Sequence, residues 1–150
     1  MNSDFKELLK SLNDQGVEYL IVGGYAVAFH ARPRFTQDLD IWVRPSAKNA
    51  ALLIQAFLDF GLPLVDIEES DFAKEGTQYM IGVPPVAFDF LTTVPGIEFD
   101  ACWERRVQDE IEGVNVSFVA KTDLITAKET SGRDIDRSDL RNLTESAEEE

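Results

Sequence analysis

The chain has 150 residues, 44% hydrophobic and 10% aromatic, which suits one folded domain with its own core and excludes a disordered polar chain. Its 28 acidic residues against 14 basic give a net charge of −14, which argues against an extended basic surface for duplex nucleic acid. No apolar run approaches the roughly 20 residues of a membrane span, the N-terminus lacks a signal-peptide pattern, and the single Cys102 has no internal disulfide partner, so a reducing, cytoplasmic setting without membrane contact is expected.

Asp4 to Gln15 predicts an amphipathic helix. Phe5, Leu8, Leu9 and Leu12 keep the helical period, Ser3 or Asp4 is the expected cap, and Gly16 stops it. Val17 to Val22 is a continuous apolar run of strand length, as a central strand covered on both faces would be. Gly23-Gly24 breaks the run, and Tyr25 to Ala31 has the length of about two helical turns before Pro33. Asp38 to Val43 predicts a second strand. Pro45-Ser46 opens a helix over Ala47 to Phe60, with Leu52, Leu53, Ala56, Phe57 and Phe60 as its apolar stripe and Gly61 as its end.

Leu62 to Glu69 is ambiguous, and Ser70 to Glu75 reads as loop. Thr77 to Val83 and Val86 to Thr92 predict two strands joined across Gly82 to Pro85. Pro95 to Asp100 reads as a connector. Arg105 to Glu110 and Val114 to Ala120 suggest a hairpin around Glu112-Gly113. Thr122 to Thr130 predicts a helix capped by Thr122. After Ser131-Gly132-Arg133, a last helix from about Asp134 to Glu145 is expected, with the acidic end over 145–150 fraying. With no repeat and no linker, residues 1–150 read as one α/β domain: a mixed sheet flanked by helices, with a helical C-terminus.

The chemistry concentrates on acids. Alternation along a strand puts Asp38 and Asp40 on one face, roughly 6.5–7 Å apart at Cα, while Leu39 and Ile41 face the core. Two neighbouring carboxylates repel unless a cation lies between them, which points to a divalent metal. Asp89 lies between Phe88 and Phe90 in an otherwise apolar strand, and a third metal-facing carboxylate would explain it. Three aspartates without His or Cys suit Mg²⁺ (or Mn²⁺) better than zinc. Gly23 and Gly24 allow close backbone approach to a triphosphate, and the helix they precede offers N–H groups to anions. Each element alone also has a plainer reading. Asp-x-Asp is common at solvated edges, a glycine pair is often only a turn, and His30, Tyr25, Phe29 and Trp42 suit packing, although Tyr25 adjoins the glycines.

The strand, Gly-Gly turn, short helix and Asp38-Leu39-Asp40 on the next strand, followed by Asp89 on a later one, resemble the nucleotidyltransferase fold of the DNA polymerase beta type. The chain looks closest to the small bacterial group that includes AbiEii-type abortive-infection toxins and minimal nucleotidyltransferases. The similarity extends to the late Lys128…Gly132-Arg133…Asp136…Asp139 segment. It implies catalytic and metal-binding roles for Asp38, Asp40 and Asp89, the last as ligand or as general base. It also implies nucleotide contacts from Gly23, Gly24, Tyr25, Arg34, Thr36, Lys128 and Arg133. Lys128 could instead be an exposed helix position, and Arg133 could instead pair with Asp136 and join the last two helices. Gly24 stands where relatives often carry a serine.

The resemblance implies transfer of a nucleoside monophosphate from an NTP such as ATP to a hydroxyl acceptor on a protein, a tRNA or a small molecule, in a toxin–antitoxin setting with a partner protein. The acidity of the chain disfavours tRNA unless its basic residues gather on one face. The alternatives are a nucleotide- or partner-binding module of the same fold without turnover, and a phosphohydrolase using the same metals.

Overall fold

A computed structural model describes residues 2–33, 36, 38–83 and 86–149, with side chains as far as 145. Its strands are β1 (Tyr19–Val22), β2 (Asp38–Val43), β3 (Gln78–Val83), β4 (Val86–Leu91), β5 (Val107–Ile111) and β6 (Val114–Phe118). Its helices are α1 (Ser3–Asp14), α2 (Gly23–His30), α3 (Ala47–Phe60), α4 (Glu69–Phe72), α5 (Phe99–Glu104), α6 (Lys121–Ser131) and α7 (Asp134–Glu149). The strands form one mixed sheet in the order β3-β4-β2-β1-β6-β5. This is the mixed sheet with flanking helices and helical C-terminus that the sequence leads one to expect.

The apolar run of β1 is explained by its place: it lies between β2 and β6, and all four of its residues are buried. β2 runs antiparallel to β1 and parallel to β4. Leu39, Ile41, Phe88 and Phe90 turn to the face covered by α1 and α3. There Phe88 meets Phe5 at 5.3 Å and Phe90 meets Phe57 at 4.8 Å between ring centres. Burying such rings is the main favourable term holding these helices to the sheet. Ser46 caps α3, its hydroxyl accepting from the Asn49 N–H at 3.2 Å, and Gly61 closes it with a positive φ of 88°.

Several boundaries differ from expectation for local reasons. The cap of α1 is Asn2, whose side chain accepts from the Asp4 N–H at 2.8 Å, rather than Ser3 or Asp4. The second helix begins at the glycine pair itself, not at Tyr25. α4 occupies part of the segment read as ambiguous or loop, where Asp71 accepts from the Glu68 N–H at 2.8 Å and secures a single turn. α5 replaces the end of the expected connector and carries the buried Cys102; its Phe99 packs against Trp42 at 5.1 Å. α6 starts after Ala120, so Thr122 is not its cap. α7 extends to Glu149 rather than ending near Glu145. The expected connection over Gly82 to Pro85 falls partly outside the described residues, because Pro84 and Pro85 are not among them.

Candidate functional site

In a parallel pair, residues in register share a face of the sheet. Asp40 is paired with Asp89 and Asp38 with Ala87, so the acids of β2 and β4 stand on one face, away from the Phe88 and Phe90 rings. The face is lined on its far side by α6 and the start of α7, leaving a cavity of about 730 Å³ that includes Gly23, Asp38, Asp40, Asp89, Lys128 and Arg133 in its walls. A cavity of this size is in the range of small-molecule sites.

Gly23 is placed by the β1–β2 register. Val22 is opposite Asp40, so the chain leaves β1 directly beside that carboxylate. The Gly23 φ is +67°, and a Cβ there would lie 1.8 Å from Asp40 Oδ2. Both the backbone angle and the space therefore require glycine. The helix α2 opens at this point, and its first N–H groups have no partner within the helix.

Asp89 is 7% exposed. Its Oδ2 accepts a 2.9 Å hydrogen bond from Gln78 Nε2, while its Oδ1 is buried without a hydrogen-bond partner among the described residues. Burial pushes its pKa above the ordinary carboxylate value, and the nearby Asp38 charge adds to this against the opposing Gln78 hydrogen bond. An orphaned, partly desolvated oxygen next to another acid is the arrangement that a cation or a proton relieves.

The opposite wall is built from paired charges. Lys128 is 7% exposed and its Nζ lies 3.1 Å from both Asp136 Oδ1 and Asp139 Oδ2. Arg133 donates through Nε to Asp136 Oδ2 at 2.7 Å, and its backbone N–H reaches the same oxygen at 3.2 Å. Burial alone would raise the Asp136 pKa, but the hydrogen bonds from Arg133, Ser131 and Lys128, with the Lys128 charge, hold it well below the usual carboxylate range. Arg133 is held above its ordinary value first by that Asp136 hydrogen bond, and the charge of Asp40 contributes across the cavity. Lys128 is thus not an exposed helix position. Arg133 pairs with Asp136 at the start of α7, while Lys128 of α6 ties the two helices together through Asp136 and Asp139.

The other residues singled out in the sequence fall elsewhere. Tyr25 packs edge-on against Phe5 at 5.5 Å and lines a separate apolar pocket with Leu9 and Phe29, away from the acids. Gly24 is buried within α2. Thr36 donates its hydroxyl to the Asp38 carbonyl at 3.2 Å, steadying the entry to β2. Arg34 lies outside the described residues. His30 is bound through Nε2 to the Val119 carbonyl at 2.7 Å, in keeping with a packing role. Gln78 and Asp136 line the cavity and were not singled out as site residues. Alternation around Asp89 could have directed attention to the facing strand, but the partner on it is set only by the β3–β4 register, which pairs Met80 with Asp89.

Among the described residues, no three His, Cys, Asp or Glu side chains are gathered into a ready-made metal-binding group. Mg²⁺ seldom uses an all-protein set of ligands; it takes one or two carboxylates and fills its shell with water and substrate phosphate. The donor set here is hard oxygen only, with an orphaned Asp89 Oδ1 and a Cβ-free approach at Gly23. These features fit such an ion.

Among curated proteins, none matches the chain. A family model described as a nucleotidyl transferase of unknown function (DUF2204) matches residues 1–150. With that match added to the sheet topology and the acids beside the glycine turn, the chain belongs to this nucleotidyl transferase family.

Proposed function

We propose that the protein is a Mg²⁺-dependent nucleotidyltransferase that moves a nucleoside monophosphate from an NTP to a hydroxyl and releases pyrophosphate. The observation that carries this reading is the register of β2 and β4, which puts Asp40 beside Asp89, next to a position where only glycine fits. Asp38 and Asp40 would hold the metal. Asp89 would act as a further ligand or accept the proton of the attacking hydroxyl, with its raised pKa suiting proton transfer. The opening N–H groups of α2 would meet the triphosphate as Gly23 lets it approach. Two bound Mg²⁺ ions would neutralise charge on the attacking and leaving oxygens of an in-line displacement.

A protein or small-molecule hydroxyl is favoured as acceptor over tRNA. Of the basic residues that would have to form a tRNA-binding face, Lys128 is buried and Arg105 is held bidentately by Asp123 at 2.8 and 3.0 Å. The toxin–antitoxin setting, the cytoplasmic location and ATP as donor belong to the same reading. A module that binds nucleotide without turnover is the second reading. It is favoured by Gly24, which stands where relatives often carry a serine.

The test is transfer of label from each NTP, with Mg²⁺ or Mn²⁺, into host lysate protein, total tRNA or small hydroxyl acceptors. The double variant Asp38→Ala/Asp40→Ala is the control. Label transfer that the double variant abolishes supports the enzyme; metal-dependent NTP binding without transfer supports the module. Neither binding nor transfer removes both readings.

A further inference from the structure

Among the described residues, Asp89 is anchored by one hydrogen bond, and it comes from the edge of the sheet. β3 is the outermost strand, and its register pairs Met80 with Asp89 and Gln78 with Leu91. Gln78, Met80, Asp89 and Leu91 therefore share the cavity face. Gln78 is an exposed side chain, yet its amide turns inward and donates to Asp89 Oδ2 at 2.9 Å. A solvent-facing glutamine gives up rotamer freedom to hold one geometry, so the bond fixes Gln78 at an entropic cost. The bond engages one oxygen of a carboxylate that is otherwise desolvated, and the other oxygen, Oδ1, is left without a partner among the described residues. It also spans from an edge strand, which can bear a change of side chain without disturbing the core.

We infer that Gln78 is a positioning residue: by donating to Oδ2 it sets the orientation of the Asp89 carboxyl, so that Oδ1 is the oxygen left for a cation or for the proton of the acceptor hydroxyl. This rests on the nucleotidyltransferase reading of the same cavity. A neutral amide suits the task. Lysine or arginine at 78 would neutralise the carboxylate and compete with a cation, whereas glutamine fixes direction without adding charge. Ligand carboxylates held from behind by hydrogen bonds commonly lose about 10- to 100-fold in metal affinity or activity when the supporting partner is removed.

The experiment measures Mn²⁺ binding by electron paramagnetic resonance, with a non-hydrolysable NTP analogue present, in the full-length protein. Wild type is compared with Gln78→Leu, which keeps volume and removes the donor, with Gln78→Asn, whose amide is one methylene shorter, and with Asp89→Ala. Val83→Thr, at the exposed far end of β3, is the control for strand integrity. The expected result is Mn²⁺ affinity weakened about 10-fold or more in both Gln78 variants, with Val83→Thr unchanged. Turnover should show kcat lowered while KM for the NTP stays within about twofold, because the substitution leaves the phosphate-binding turn alone. Mn²⁺ binding in Gln78→Leu equal to wild type, with Asp89→Ala impaired, overturns the positioning role and leaves the transferase reading standing. Wild type that binds neither Mn²⁺ nor the analogue overturns both. Thermal melts of every variant show whether a loss reflects unfolding.

Discussion

Gly23 and Asp40 are in contact across the turn between β1 and α2: a Cβ on residue 23 would lie 1.8 Å from Asp40 Oδ2, and the backbone there has a φ of +67°. The two conditions act together. Gly23→Ala must either rotate the Asp40 carboxylate out of place or move the first turn of α2. The expected outcome is a stability loss of about 1–3 kcal/mol, the usual cost of a forced left-handed residue, and, on the proposed function, nucleotidyl transfer lowered about 10- to 100-fold because Asp40 is its proposed metal-holding carboxylate. Urea melts and label transfer check the two effects separately.

Asp89 carries a cost when no metal is bound. Its folded pKa lies above its unfolded value, chiefly from burial, so ionising it at neutral pH opposes folding. Asp89→Asn removes that charge while keeping shape and a hydrogen-bond partner for Gln78. In metal-free buffer at neutral pH the variant should melt higher than wild type by a few degrees, corresponding to about 1 kcal/mol, and it should have lost transfer activity. The sign reverses for a carboxylate that stabilises the fold when ionised, so differential scanning calorimetry with and without chelator decides the point.

Lys128 lines the cavity and also joins α6 to α7. It sits buried between Asp136 and Asp139, and taking away one partner of a buried ion cluster leaves the others uncompensated. Lys128→Met should lower stability by about 3 kcal/mol, whereas Arg133→Gln, at an exposed guanidinium, should cost far less. Urea titration of the two variants gives the comparison.

Acid should lower stability over two pH ranges, each set by a different group. The His30 pKa is lowered chiefly by burial, so its stabilising neutral form is fully present above the unfolded value of about 6.5 and stability falls as pH drops below it. Asp136 is also lower when folded than when unfolded. Its contribution is complete above about pH 4 and is lost as pH falls from there. His30→Gln should flatten the stability profile as pH falls below about 6.5, and Asp136→Asn should flatten it below about pH 4. Denaturant midpoints measured across that range test both.

Much of this architecture could be read from local signals. α3 runs from Ala47 to Phe60 as expected because Ser46 supplies a side-chain cap and Gly61 a left-handed stop. β2 begins at Asp38 because its alternation of acids and apolar residues matches a half-covered strand. α4 and α5 were missed because one or two turns give too few periodic positions to distinguish a helix from a connector. The Asp38, Asp40 and Asp89 group could be named from residue types, but its anchoring by Gln78 depends on strand pairing that separates the two residues by 11 positions. Lys128 was hard to place for another reason: lysine is rarely buried, and only the meeting of α6 and α7 surrounds it with acids. Tyr25 adjoins the glycines in sequence, yet two residues along a helix turn the side chain to another face, where it meets Phe5.

The most direct measurement is a crystal structure with Mn²⁺ and a non-hydrolysable NTP, with anomalous scattering used to locate the metal. The transferase reading requires Mn²⁺ within coordination distance, about 2.0–2.4 Å, of Asp38 or Asp40 and of triphosphate oxygens, with the phosphates over Gly23 and the Asp89 carboxyl facing the reacting phosphorus. Nucleotide bound away from Gly23, or an anomalous peak that touches none of Asp38, Asp40 and Asp89, would contradict it.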